Sequence, residues 1–599
     1  MGRTKSELNN QIRSLFEYSM EENVSLCKIC KTKLAGQHST NLRRHIETKH
    51  KSFLNHLTPT VEKNEPPKKK IRISYEIDAE SFESSLVKII TKDGQPLSQL
   101  DSEGFREIVN PIFKALNMNS INSHNVMELV NKRVVEMKKF IKKVVEKKLV
   151  SIKIDTATRF DRSILGINLQ YLEFKNSTLE IVVKTLGMKT SPYPYTGEQI
   201  QDTVLDTLAE YDIRLEQIYC VTSDNGRNML KAVEIVNQDF YEIFDCIDEL
   251  PEILFTSSLH SMRCAVYSLQ LCVTDIHKDK GIQNNIEDIR KVCELLRNEK
   301  YRNMLTECNR AVPPIDIAIR WNSTYVMVKQ LLELRDFVEE EKIIVNWDWI
   351  QEYVSALEPI WAATMKLQVE QLPLCDLFKI WMELKLNFRE SRNGGIKQII
   401  YNSLLNRESL LLSNVTLLSA VYLDPRLNVL LTESQKSSAK ANLKSTARQI
   451  FNLKQSKPMP TTQVFTEEVS QHCSFIKREP SSDHESSLLS AYLDQIAQET
   501  AATATEDDVS DLTKVFVEID NFENLHRRLP LNEDIFSFYQ NIRFISPELF
   551  ELALVVLGAP ATQASVERAF SSLNFVLSES RNNLNNKTVE DLLLVRLNT

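Results

Sequence analysis

A chain of 599 residues with 42% hydrophobic residues can bury several cores, and only 12 glycines, roughly a third of average usage, favour a mostly helical protein. No stretch approaches the roughly 18 consecutive apolar residues of a membrane span, so no membrane partner is expected, and a net charge of −8 argues against a uniformly basic nucleic-acid coat. The charge is uneven: residues 1–75 hold fifteen Lys and Arg against seven Glu and no Asp, a balance of +8 that leaves the rest near −16 and suggests an N-terminal module that meets a polyanion.

The first unit spans 1–52. Its stretch "CKICKTKLAGQHSTNLRRHIETKH" gives Cys27-x2-Cys30-x14-His45-x4-His50, with both His about one turn apart on a helix starting near Ser39. Two thiolates and two imidazoles at this spacing suit a tetrahedral structural Zn(II). Arg43 and Arg44 lie on the same short helix, where they could reach phosphates or base edges of double-stranded DNA. The other Cys are scattered, and a reducing compartment is the simpler reading. Residues 53–75 form a basic linker, in which Lys68, Lys69, Lys70 and Arg72 read either as a nuclear localisation signal or as a solvated charged tether.

Residues 76–148 read as helical. In "NKRVVEMKKFIKKVVEKK" (131–148), Val134, Val135, Met137, Phe140, Ile141, Val144 and Val145 fall near one stripe and lysines cover the rest, either a solvated face or a DNA-backbone contact. The period then changes. Residues 149–157, 163–174 and 177–188 read as three strands, 196–213 as a helix, 217–224 as a fourth strand and 225–240 as a helix, an α/β core over 149–245. Residues 246–529 read as an all-α insertion whose Ser-, Thr-, Glu- and Gln-rich part, about 455–510, is a flexible loop with a weak modifier-acceptor pattern at Lys477. Ordered helical periodicity returns over 530–599. There "ASVERAFSSLNFVLSESRNNL" (564–584) carries an apolar stripe through Val566, Ala569, Phe570, Leu573, Val576 and Leu577, an amphipathic helix with Glu567 beside the stripe.

Asp155 ends the first strand and Asp224 follows the fourth. If those strands are neighbours, the two carboxylates converge at one sheet edge, as Mg(II) or Mn(II) requires. The competing reading is that each Asp caps the helix or turn that follows.

"KIDTATRFDRSILGINLQYL", "VTSDNGRNMLKAV", "RWNSTYVMVKQLLELR" and "PATQASVERAFSSLNFVLSESRNNLNNKTVEDLLLVRLN" resemble, in order, the blocks of hAT-superfamily DDE transposases. Phe16, Tyr18 and "STNLRRHI" resemble a BED-type finger, common at the front of such nuclear DNA-binding proteins. The resemblance implies a ribonuclease-H-like core interrupted by a large all-α insertion, helix-rich overall. It places an acidic triad for catalytic Mg(II) or Mn(II) on Asp155, Asp224 and Glu567. It pairs Arg320 with Trp321 as a base-stacking element and gives the C-terminal region a dimerisation role, hence a homodimer or higher homo-oligomer. Where the family carries His in a block like "RCxxHTLQL", this chain reads "MRCAVYSLQL" with Tyr267, and His260, one helical turn upstream of Cys264, could compensate for the missing imidazole. Two functions follow from the resemblance: a DNA transposase, favoured by the retained acids, or a non-catalytic DNA-binding regulator derived from one, favoured by Tyr267. A zinc-finger protein acting through protein contacts is a third and requires the acids to be accidental.

Overall fold

One short helix laid on three short strands is all that the first fifty residues have to build a core with. Arg3–Ser14 (α1) leads into the antiparallel strands Phe16–Ser19 (β1), Val24–Cys27 (β2) and Lys33–Ala35 (β3), and Ser39–Lys49 (α2) closes the unit. Its buried apolar cluster is Ile12, Phe16, Cys27, Leu42 and Ile46, too small to hold a fold of this size without a staple. The structure, a computed structural model, describes residues 3–53, 76–159, 161–224, 231, 260–317, 321–389, 395–455, 506–577 and 584–599. The expected linker signal at Lys68–Lys70 and Arg72, the helix at 225–240 apart from Lys231, Arg320, and Lys477 with nearly all of its loop lie outside the described residues.

A second unit covers residues 78–599. It opens with Ala79–Thr91 (α3), Glu103–Ala115 (α4) and Val126–Val145 (α5). The Asp78 carboxylate caps α3 by accepting from the Ser81 N–H at 2.7 Å. On α5 the buried stripe is Val126, Val130, Val134, Ile141 and Val145, spaced for one helical face. This corrects the expected stripe: Val135 and Phe140 fall a step of about 100° off it and are 66% and 58% exposed.

Val150–Arg159 (β4), Arg162–Lys175 (β5) and Thr178–Ser191 (β6) form an antiparallel meander. Gly197–Glu210 (α6) then carries the chain to Ile218–Ser223 (β7), which pairs parallel with β4. A fifth strand, His260–Arg263 (β8), extends the order to β6-β5-β4-β7-β8. The helical stretch expected from about 250 is corrected here, because four residues with one buried apolar side chain, Met262, carry no alternation to read. Val150, Ile152, Ile154 and Val221 point to the face packed by α5 and α6. Ser151, Lys153 and Asp155, one residue out of step, point to the opposite face.

That opposite face meets the helices. Ala265–Ile276 (α7) follows β8, and a run of helices from Lys280–Leu296 to Glu433–Gln455 includes Trp321–Glu333 (α8) and Leu374–Arg389 (α9). After Glu506–Asp520 come Pro547–Leu557 (α10), Ala564–Ser571 (α11), Leu573–Val576 (α12) and Asn586–Asn598 (α13). One apolar core joins these helices to Leu172, Cys220 and Met262 of the sheet. The single helix expected over 564–584 is corrected to α11 and α12, separated at Ser572. The stripe residues Val566, Ala569, Leu573, Val576 and Leu577 are all buried, so the break changes direction without losing the face.

Inside the helical region Arg426 is 3% exposed and Asp424 fully buried. The guanidinium donates to both Asp424 oxygens at 2.9 and 2.7 Å, to Asp376 on α9 at 2.6 Å and to the Glu533 carbonyl at 2.9 Å. Three separate segments are thereby held by one cation. Arg426→Met leaves a buried carboxylate unpaired and is expected to cost about 3–5 kcal/mol in urea unfolding of the full chain. A loss below about 1 kcal/mol would show that Asp424 is satisfied by other groups.

Candidate functional site

In the finger, β2 ends on Cys27 and the following turn carries Cys30, while α2 presents His45 and its C-cap residue is His50. Cys30 Sγ stands 3.2 Å from His45 Nε2 and Cys27 Sγ 3.7 Å from His50 Nε2. All four ligand atoms lie within 4.8 Å of one another. A tetrahedral ion with Zn–S and Zn–N bonds of ordinary length separates its S and N ligands by about 3.6 Å, so the quartet fits Zn(II). The Thr32 hydroxyl beside Cys30 holds its thiol down to about 5, which favours the thiolate that a metal needs. On α2, Arg43 pairs with Glu47 at 2.8 Å and Arg44 is exposed.

At the sheet, the parallel register pairs Lys153 with Thr222, so Asp155 and Asp224 each lie two residues beyond the last matched pair, at the same end. Both are partly exposed there. Burial first, then the Asp224 charge and last Glu567 raise the Asp155 carboxyl, against the Thr156 N–H donated to Oδ1 at 2.8 Å, to about 7 in all. Asp155 therefore feels both other acids of the sequence reading, Glu567 from 412 residues further along the chain. Their oxygens are not among the groups gathered within 4.8 Å in the described residues, which are the finger quartet and Cys375, Asp376 and Asp424. The second of these groups is already occupied by the Arg426 guanidinium.

The placement of Glu567 has a local cause. Helix α11 lies on β4 and β5, tied by Gln563 Nε2 to the Ile154 carbonyl at 2.5 Å and by Asn168 Nδ2 to Ser565 Oγ at 3.2 Å. Gly166, register partner of Asp155, leaves room for that approach. A Cβ there would stand 2.5 Å from Val566 Cγ1, the residue before Glu567. Gly166→Ala is expected to push α11 outward and cost about 1–3 kcal/mol, with Val566→Ala restoring much of the loss in thermal melts. Strictly additive losses would mean that the two positions do not clash. The sequence signal for this site was a glycine inside a strand, in a chain that has only 12.

Cys264 and Tyr267 belong to the same neighbourhood. The Cys264 N–H donates to the Ser223 carbonyl and the Ala265 N–H to Ala561, both at 3.0 Å, which sets the first turn of α7 between Asp224 and α11. Burial raises the Cys264 thiol to about 11, and Glu567 contributes to the rise. His260 lies on β8 and not on a helical turn, with its ring edge-on to Tyr219 at 5.6 Å, which corrects the placement offered as compensation for Tyr267. Trp321 is 5% exposed and packed near Tyr325 in the helical core. A buried cation was missed altogether. Lys153 is 4% exposed and donates to Gln170 at 2.6 Å; burial, and then the Arg568 charge, lower its ammonium to about 7.

Among the described residues no helix is long and apolar enough to cross a membrane. Residues 15–51 match the BED zinc finger, and residues 512–599 match the hAT family C-terminal dimerisation region. A protein of Talaromyces stipitatus named as a candidate transcriptional regulator, tpeD, is 21% identical over 572 residues, which cover 87% of this chain. The match spans 62% of that protein's own length, under two thirds of it.

Proposed function

This chain is a hAT-family transposase-like protein with a BED zinc finger, and on that premise we propose that it is a DNA transposase whose sheet end cuts and joins phosphodiesters. The observation that carries this reading is that β4 and β7 bring Asp155 and Asp224 to one end of the sheet, where the Asp155 carboxyl feels both Asp224 and Glu567. The core around them is read as ribonuclease-H-like, from a three-strand antiparallel meander joined by parallel strands.

The donor set is three carboxylates with no imidazole, which suits a hard divalent cation, Mg(II) or Mn(II). Asp155, Asp224 and Glu567 would hold it. Such a cation activates a water or a 3′-hydroxyl and stabilises the leaving oxygen. Asp155 and Asp224 are fixed by the sheet, while Glu567 rides on α11 and completes the set from the far part of the chain. The finger, through Arg43 and Arg44, would bind double-stranded element ends in the nucleus, and the C-terminal region would pair two copies. The test is plasmid excision by the full chain with Mg(II) or Mn(II). Sequence-specific binding with no strand break under either ion would sink the catalytic reading.

That outcome would leave the second reading, a DNA-binding regulator that keeps finger and dimer. Tyr267 favours it, since a phenol donates a hydrogen bond but cannot serve as an imidazole base. The regulator-like relative points the same way.

A further inference from the structure

Beside the acids, on the same face of the sheet, lies a cavity of about 390 Å³. Its floor is a polar row across three strands: Lys153, Asn168 and Thr185 are register partners in turn, and none is more than 4% exposed. Lys153 Nζ has one neutral partner, Gln170 Oε1. Asn168 is 1% exposed; its Nδ2 donates to Ser565 Oγ, and its Oδ1 has no partner. At the rim Arg568 donates to the Gln368 carbonyl at 3.0 Å and meets Glu370 at 3.2 Å, but the Glu370 side chain is 69% exposed and lies mostly in solvent.

Two cations face this cavity against one solvated carboxylate, with the Ser565 hydroxyl and the Asn168 amide beside them. Burying a charge is costly unless it is paired, so a row built this way calls for an anion. Turning the Asn168 amide over gives a further donor while Ser565 supplies the proton to its oxygen. Lys153 precedes Asp155 by two residues on one strand, so the two side chains leave the backbone about 7 Å apart. Successive phosphates of one DNA strand advance about 3.4 Å along a duplex axis, which brings a phosphate near the one handled by the acids into reach.

We propose that this cavity is a phosphate subsite for the DNA strand, in which Lys153 and Arg568 supply the charge and the Asn168 amide, its oxygen held by the Ser565 hydroxyl, supplies the neutral donor. It rests on the reading of the neighbouring acids as a strand-processing site. The subsite makes that reading workable: three carboxylates repel a polyanion, and two cations beside them offset the repulsion.

The experiment is thermal melting of the full chain with inorganic phosphate, with tetrathymidylate, and with the methylphosphonate analogue of tetrathymidylate, which lacks the charge. Wild type should be stabilised by phosphate and by tetrathymidylate but not by the neutral analogue. In Lys153→Met and in Arg568→Gln the rise should fall below about half, whereas Lys291→Met, which removes an exposed lysine on the helix Lys280–Leu296, should keep it. Lys153→Met without ligand should melt no lower than wild type, since an incompletely paired buried charge is removed. Arg568 is partly exposed, so its variant still decides the matter if Lys153→Met fails to fold. Equal rises in wild type and both variants overturn the subsite. A rise with inorganic phosphate alone overturns its assignment to a DNA strand, as does an equal rise with the neutral analogue. Cleavage is not measured here, so a chain that never cuts DNA defeats the proposed catalysis without touching these results.

Discussion

Asp155→Asn and Glu567→Gln are each expected to lower Mg(II)-dependent strand cleavage by about a thousandfold or more. The figure follows from the several kcal/mol of charge stabilisation that a cation gives a phosphoryl transition state, at about 1.4 kcal/mol per factor of ten. Each substitution keeps the side chain's size and removes one negative charge, so folding should survive. The two variants also separate by pH. Asp155 has a folded-state pKa of about 7, above the usual carboxylate value, because burial and the Asp224 and Glu567 charges disfavour ionisation. The stability this group gives is therefore fully present below its unfolded value near 4 and is lost as pH rises through about 7. Without added divalent cation, wild type should lose melting temperature between pH 5 and 8 more steeply than Asp155→Asn, and added Mg(II) should reverse part of that loss. Cleavage undiminished in both variants would remove the acids from the mechanism.

Replacing Cys27 by Ser, or stripping metal with a chelator, should unfold the N-terminal unit and abolish its DNA binding. Structural zinc contributes an apparent 10–16 kcal/mol in zinc-finger peptides near pH 7, far more than a core of five apolar residues can supply. The second unit has its own extensive core and should melt as before. Gel shifts and thermal melts of the full chain read the two consequences separately. Full DNA affinity after chelation would mean that the finger folds without its ion or that another surface binds the DNA.

Legibility in the sequence followed how local the signal was. The Cys27, Cys30, His45 and His50 spacing needs only a tight turn and one helix, and the structure brings the four together. The meander was readable because β4, β5 and β6 are long, 10, 14 and 14 residues, and rich in apolar residues between short turns, whereas β8 is four residues long and gave nothing to count. Val135 and Phe140 were misassigned on α5 because apolar residues crowd both sides of the stripe, and only packing against the sheet decides which side is covered. Trp321 was offered as a base-stacking residue by resemblance, and its burial beside Tyr325 was not legible in the sequence. Lys153 was overlooked because a lysine in a strand reads as solvent-facing, and its burial depends on helices encoded hundreds of residues later. The same distance separates Glu567 from the aspartates, so its approach could be expected only by resemblance; Gly166 supplies the steric reason.

The register of β4 with α11 has a consequence for the order of events at the ribosome. Asp155 is polymerised 412 residues before Glu567, an interval of roughly 20–80 s at 5–20 residues per second. Once Asp224 has been added, and for the 343 residues that follow, the face later covered by α11 has only two of its three acids. The nascent chain therefore presents a polar row, Thr222, Lys153, Asn168 and Thr185, where an apolar face would invite aggregation. The carboxylate set closes only when synthesis is nearly done, so a prematurely terminated chain carries the finger and the sheet but never the assembled site.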